Sequence, residues 1–290
     1  MTTVKTTSIE RFLPVGAALA TGLLLAFGGG SALAQTGSGA SVAATGGPPG
    51  AEARALADKL ANPIANLISV PFQFNYDRGI GQDQEGHVWS MRFQPVIPLT
   101  VNKEWNYIVR PIVPVEWVRD VNGFSGTGVG PIAVETFFSP NRSDDLIWGV
   151  GPYLSFPSAS GPEYGSKQWG AGVSFVALLR PGAWTIGLLG YQSWNAGGSE
   201  IAGTTNTTYW QPVVAYVTKN AWTFSLNTES SYNWDVHRAS NPMNFIVSKL
   251  LYLDKLPVSF SLGARYYLSS TPGGAEGWGG RATVTFVFPK

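Results

Sequence analysis

Side chains suited to covalent chemistry are scarce in this chain. It has no cysteine and two histidines, His87 and His237. Neither histidine stands in an H-E-x-x-H helix or a metal-spaced Cys/His cluster, and the sequence has no G-x-S-x-G elbow and no Walker loop. His237 lies near Ser231 and Ser240, where a Ser–His hydrolase could be assembled; a solvated loop histidine accounts for the same spacing. Asp77, Asp83 and Glu85 could offer carboxylates to Ca²⁺, but their spacing departs from a known calcium loop, and a solvated acidic loop is the simpler account. No catalytic residue, metal or cofactor is therefore expected. A second group of polar residues recurs at alternate positions of otherwise apolar stretches: Arg92, Gln94, Asn106, Arg110, Glu116, Glu135, Gln211, Asn227, Glu229, Arg265 and Arg281. Side chains that share a parity share a face, so their role depends on the elements that carry them.

Those elements are strands. From Ile68 onward apolar residues fall on every second position. Ile68, Val70, Phe72, Phe74 and Tyr76 alternate with Ser69, Gln73, Asn75 and Asp77, and Trp222, Phe224, Leu226, Tyr232 and Trp234 alternate with Thr223, Ser225, Asn227, Glu229, Ser231 and Asn233. The C-terminal run repeats the pattern, with Gly280, Ala282, Val284, Phe286 and Phe288 on one face and Arg281, Thr283 and Thr285 on the other. A soluble sandwich shows the same period, so alternation alone leaves both open.

Connection lengths separate the two. Long connections at 77–87, 118–128, 157–167, 195–206, 235–242 and 269–277 alternate with short ones at 101–104, 141–145, 180–183, 218–221 and 254–256, as in outer-membrane barrels with short periplasmic turns and long outer loops. The tryptophans fall near strand ends, Trp105, Trp148, Trp184 and Trp222 after short turns and the others beside long loops, as aromatic girdles require. The spacing predicts an all-β, antiparallel, transmembrane up-and-down barrel of about twelve strands. Pro95, Pro111, Pro131, Pro152 and Pro212 interrupt the pattern inside strands; they mark either bulges or a local separation of neighbouring strands.

With 13% charged and 13% aromatic residues, the composition fits a surface in lipid better than one in water. Lys5 and Arg11 precede an apolar run from Phe12 to Phe27 and an Ala32-Leu33-Ala34 site, the layout of a cleaved signal, so residues 1–34 are read as a signal peptide. Residues 35–62 are read as a flexible leader and short helix: a Gly/Ala/Ser/Thr-rich stretch, then a helical stripe from Ala51 to Asn62 stopped by Pro63. That helix can sit in the periplasm or inside the barrel mouth. Residues 63–290 are read as the barrel. A net charge of +1 gives no electrostatic case for nucleic acid.

In a barrel the polar set points away from lipid and lines the lumen and solute path. Such residues can pair and fill the interior or set selectivity; with both signs present, a partly filled lumen with a narrow wet path is expected. The partners are outer-membrane lipid, a small-molecule solute and the barrel-assembly machinery, in the outer membrane of a Gram-negative bacterium. A lipid hydrolase and a structural or adhesive barrel with a blocked lumen are the alternative functions.

The run Asn62-Pro63-Ile64-Ala65-Asn66-Leu67-Ile68-Ser69-Val70-Pro71-Phe72-Gln73, with Gln94-Pro95-Val96-Ile97-Pro98, Arg110-Pro111-Ile112-Val113-Pro114, Trp148-Gly149-Val150-Gly151-Pro152 and Phe288-Pro289-Lys290, resembles the outer-membrane barrels named for the meta pathway of phenol degradation. The resemblance covers nearly everything from Asn62 onward. It implies a passive transporter of small, aromatic or apolar solutes. Gly128-Val129-Gly130-Pro131 departs from the Gly-Asp step that the family tends to carry there.

Overall fold

The computed structural model describes residues 49–141, 145–199 and 205–289. The proposed signal peptide, the leader up to residue 48 and Lys290 lie outside the described residues. Alternating residues build β1 (Ile68–Ile80), β2 (Gly86–Phe93), β3 (Ile97–Thr100), β4 (Trp105–Val121), β5 (Phe124–Val129), β6 (Ala133–Pro140), β7 (Leu146–Ser155) and β8 (Gln168–Leu179). They are followed by β9 (Trp184–Gly198), β10 (Thr207–Val217), β11 (Trp222–Thr228), β12 (Ser230–Asn233), β13 (Arg238–Leu253), β14 (Leu256–Ser269) and β15 (Gly277–Phe288). Each pairs antiparallel with its neighbours. β2 and β3 form one stave interrupted at residues 94–96, β5 and β6 one interrupted at 130–132, and β11 and β12 one interrupted at Glu229. Among the described residues the fifteen segments therefore make twelve staves, and β15 closes on β1 from Ile68↔Phe288 to Tyr76↔Gly280. Closure satisfies every ladder without an edge, the condition for spanning lipid with strands.

The apolar parity faces outward. Phe74, Leu99, Phe138, Val150, Leu188, Phe224, Leu262 and Phe288 are exposed on the barrel's outer surface, with Trp89, Trp148, Trp184, Trp222, Trp234 and Trp278 at strand ends. The short connections at 101–104, 180–183 and 218–221 lie where the sequence places them. The connection expected at 157–167 is a full loop between β7 and β8, whereas those expected at 77–87, 118–128 and 235–242 are shorter, because pairing runs on beyond the width of a bilayer: Val118↔Gly126 and Val121↔Phe124 extend the β4–β5 hairpin to its tip. A tilted strand needs about 9–11 residues to cross lipid. β4 has 17 residues and β13 has 16. The ladder keeps backbone groups paired outside the membrane as well as within it.

The prolines divide into two groups. Pro95 and Pro131 fall in stave interruptions, whereas Pro111, Pro152 and Pro212 stay within β4, β7 and β10. At the β5–β6 interruption the following loop supplies the missing partners: Ile132 N donates to Ser158 Oγ at 2.7 Å, Val129 N to Ser160 Oγ at 2.9 Å, and Phe156 N to Ile132 O at 2.8 Å. Tyr164, in a 3-10 turn of that loop (Pro162–Tyr164), lies over Gly126 and Gly128, where any Cβ would stand 2.4 and 2.6 Å from it.

The one α-helix among the described residues, α1 (Pro49–Leu60), starts slightly earlier than its apolar stripe, because proline suits the first helical turn. It sits inside the short-turn mouth. Ala53, Leu56 and Ala57 pack with Leu67 against inward-facing Val217, Ala221, Leu250 and Val287. Arg180 Nη2 donates to Asp58 O at 2.8 Å, serving a carbonyl in the helix's last turn.

Candidate functional site, a two-chambered lumen

Among the described residues, two cavities that share lining residues open on the inward face of the barrel. The larger, about 610 Å³, occupies the middle and long-loop half; the smaller, about 240 Å³, lies between it and α1. Gln94 and Arg110 border both.

A belt of hydrogen bonds crosses the lumen at that level. Arg110 Nη1 donates to Glu135 Oε2 at 3.2 Å and its Nη2 to Gln94 Oε1 at 2.8 Å; Gln94 Nε2 then donates to Gln73 Oε1 at 3.2 Å. Gln73 Nε2 continues to Asn75 Oδ1 at 3.4 Å, which also accepts from Arg281 Nε at 2.7 Å. Arg281 ends the belt in a fork on Glu229, with Nη1–Oε1 at 2.6 Å and Nη2–Oε2 at 2.8 Å. Paired N–H groups on both carboxylate oxygens make this the strongest contact in the lumen. Gln94 and Glu229 both sit at stave interruptions, where a bulged backbone can turn a side chain inward.

Two further guanidiniums approach the same carboxylate. Arg265 Nη2 and Arg92 Nη1 each lie 3.7 Å from Glu229 Oε2, and Arg265 Nε is 3.3 Å from Asp77 Oδ1. Across the ring of staves stand three tyrosines in a ladder. Tyr153 stacks on Tyr191 with ring centres 4.0 Å apart and planes 11° from parallel, and Tyr191 on Tyr209 at 5.1 Å and 16°.

The two sides differ again below the belt. On β4, β6, β8 and β9, Ile108, Phe137, Val176, Leu178 and Leu189 close on Ile64 as a dry cluster, with Phe137 wholly buried. On β1, β11, β13, β14 and β15 the smaller cavity is lined by Ser69, Thr223, Ser225, Ser248, Ser259, Ser261 and Thr285. Short hydroxyl side chains leave room and present donors and acceptors to water.

Of the residues singled out by parity, Arg92, Gln94, Arg110, Glu116, Glu135, Gln211, Asn227, Glu229, Arg265 and Arg281 all border the larger cavity. Asn106 is buried towards the short-turn end of β4 and borders neither cavity. Sequence reasoning missed the tyrosine ladder, although Tyr209 shares the parity of Gln211 and its hydroxyl donates to that side chain at 3.1 Å. The hydrolase geometry is not assembled. Ser231 and Ser240 face the cavity as a cross-strand pair, while His237, exposed at the hairpin tip, has Nδ1 at 3.3 Å from the Tyr232 hydroxyl. Among the described residues no hydrogen bond joins it to either serine. Asp77 turns into the lumen towards Arg265, away from Asp83, whose carboxylate accepts from Glu85 N at 3.3 Å.

No protein family and no curated protein matches the sequence. Among solved structures, the chain superposes on an outer membrane channel from Pseudomonas putida F1 with a TM-score of 0.60 at 11% identity, over 77% of this chain and 96% of that one. Outer membrane phospholipase A from Escherichia coli gives 0.43 at 9% identity over 76% and 96%, and OccAB3 of Acinetobacter baumannii gives 0.32 at 9% over 77% and 98%. At these identities the first likeness speaks for the fold alone. The chain is a closed, twelve-stranded β-barrel of the outer-membrane type.

Proposed function

We propose that this barrel is a passive channel for small solutes in the outer membrane of a Gram-negative bacterium. The observation that carries the reading is the pair of cavities that share Gln94 and Arg110 inside a lipid-facing closed barrel. A solute enters the larger chamber from the long-loop side, passes the hydrogen-bonded belt and continues along the hydroxyl-lined side of the smaller chamber. Helix α1 stands at the exit, so its displacement within the mouth opens the path. Residues 1–34 serve as the export signal, the barrel-assembly machinery inserts the barrel, and the apolar outer face meets lipid. Aromatic and apolar solutes are the class that the resemblance to the meta-pathway barrels implies, and the tyrosine ladder supports it.

Reconstituted liposomes test this with a panel of charged, sugar-like and aromatic solutes. Solute flux above protein-free vesicles is expected. Absence of both flux and ionic conductance would favour a structural barrel with a blocked lumen. Phospholipid cleavage that disappears in His237→Ala would favour a hydrolase.

A further inference from the structure

The larger chamber joins two kinds of wall. In the ring of staves, β7, β9 and β10, which carry Tyr153, Tyr191 and Tyr209, stand opposite β14, β15 and β2, which carry Arg265, Arg281 and Arg92. The arginine wall is not saturated. Three guanidiniums surround Glu229; Asp77 pairs with Arg265, and Arg92 has no ion-pair partner among the described residues besides Glu229 at 3.7 Å, with Glu116 the further carboxylate acting on it. Arg265 is 4% exposed, and its Nη1 has no hydrogen-bond partner. Its guanidinium also lies 5.2 Å from the Tyr267 ring centre, which holds the fork in place. An orphaned donor on a buried charged group carries a free-energy cost that an incoming acceptor relieves. Arg92 is the most accessible of the three and touches Glu229 only at 3.7 Å. Arg110, by contrast, is occupied by Glu135 and Gln94. The remaining charge on the chamber is Glu116, which is in no ion pair among the described residues.

We infer that the chamber selects aromatic monocarboxylates: the carboxylate docks on Arg92 and Arg265, and the ring lies against the tyrosine ladder. This rests on the channel reading and names its solute class. A planar carboxylate matches the guanidinium fork, and a single negative charge is what the loosely paired Arg92 and the orphaned donor of Arg265 can take. The three stacked tyrosines border the chamber, and the positive edges of such rings attract the face of a solute's π-system. At about 610 Å³ the chamber admits a one-ring acid with water. Glu116 opposes the anion and sets how long it stays.

The test is single-channel recording of the full-length protein in planar bilayers, with benzoate, cyclohexanecarboxylate and benzyl alcohol added in turn to KCl. Benzoate is expected to interrupt the ionic current at lower concentration than either analogue. Arg92→Gln should raise its half-blocking concentration about tenfold, equivalent to about 1.4 kcal/mol. Tyr191→Leu should erase the difference between benzoate and cyclohexanecarboxylate. Glu116→Gln should lower the half-blocking concentration for benzoate, and it leaves the arginine cluster in place should Arg92→Gln fail to fold. Equal block by benzoate and benzyl alcohol, or unchanged benzoate block in both Arg92→Gln and Glu116→Gln, overturns the inference while the conductance itself upholds the channel. A folded barrel with no ionic current overturns the channel reading, and this inference with it.

Discussion

The two halves of the lumen are built on one ladder and wrapped in one apolar exterior, yet their inward faces have little in common. From β4 to β10 the interior is a protein core below the belt, with Ile108, Phe137, Val176, Leu178 and Leu189, and a wall of stacked tyrosines on the larger chamber above it. From β11 through β15 to β1 it is a polar wall, with serine and threonine below and the Glu229 cluster above. The difference shows that leaving the lipid and facing water are separate conditions. Strand parity imposes the first; what packs against the inward face decides the second.

Substitutions can sharpen that contrast, because a core should answer in stability and a channel wall in conductance. The largest effect is expected at Glu229, which is buried beneath three guanidiniums. Glu229→Gln leaves those charges uncompensated and should cost towards the upper end of about 3–5 kcal/mol in urea unfolding of micelle-held barrel. A loss under about 1 kcal/mol would show that water screens the cluster. Phe137→Ala empties a wholly buried site and should cost about 3–4 kcal/mol with little change in conductance. Ser261→Leu should do the converse: it enters the smaller cavity, changes stability by less than about 1 kcal/mol and lowers single-channel conductance by roughly half.

The smallest effect is a pH dependence at the plug. Burial holds the Asp58 carboxyl above its ordinary value of 3.8, with Arg180 and Arg54 acting in the opposite direction. Docked α1 thus holds the proton more tightly than released α1. This contribution to docking is complete below the ordinary value and is lost as pH rises through the raised one. Conductance should therefore rise modestly as pH rises above 3.8 and through the raised value, and Asp58→Asn should flatten the profile.

Much of the barrel could be read from the sequence because lipid makes a uniform demand on the outer face. The alternation from Trp222 to Trp234 and the short turns at 101–104 and 180–183 carry the stave pattern, and the apolar face of residues 280–288 indicates closure onto the first strand. The dry half of the lumen was hidden for the same physical reason. Where both parities are apolar, as around Ile108 and Leu189, alternation fades and no longer marks an inside. The gathering of Arg92, Arg265 and Arg281 on Glu229 depends on registers set across several hairpins, which local pattern does not contain. The seat of α1 was equally hidden, since its stripe of Ala53, Leu56 and Ala57 would serve any apolar partner.

The absence of cysteine from the chain gives a direct test of which half conducts. Single cysteines placed at Ser225 and Ser261 on the hydroxyl side, and at Val176 and Leu189 on the apolar side, can be exposed to a charged, water-soluble thiol reagent during bilayer recording. If the path follows the hydroxyl side, modification at Ser225 and Ser261 lowers the current and the apolar pair stays silent. Current lost from Val176 and Leu189, with none lost from Ser225 and Ser261, would contradict it.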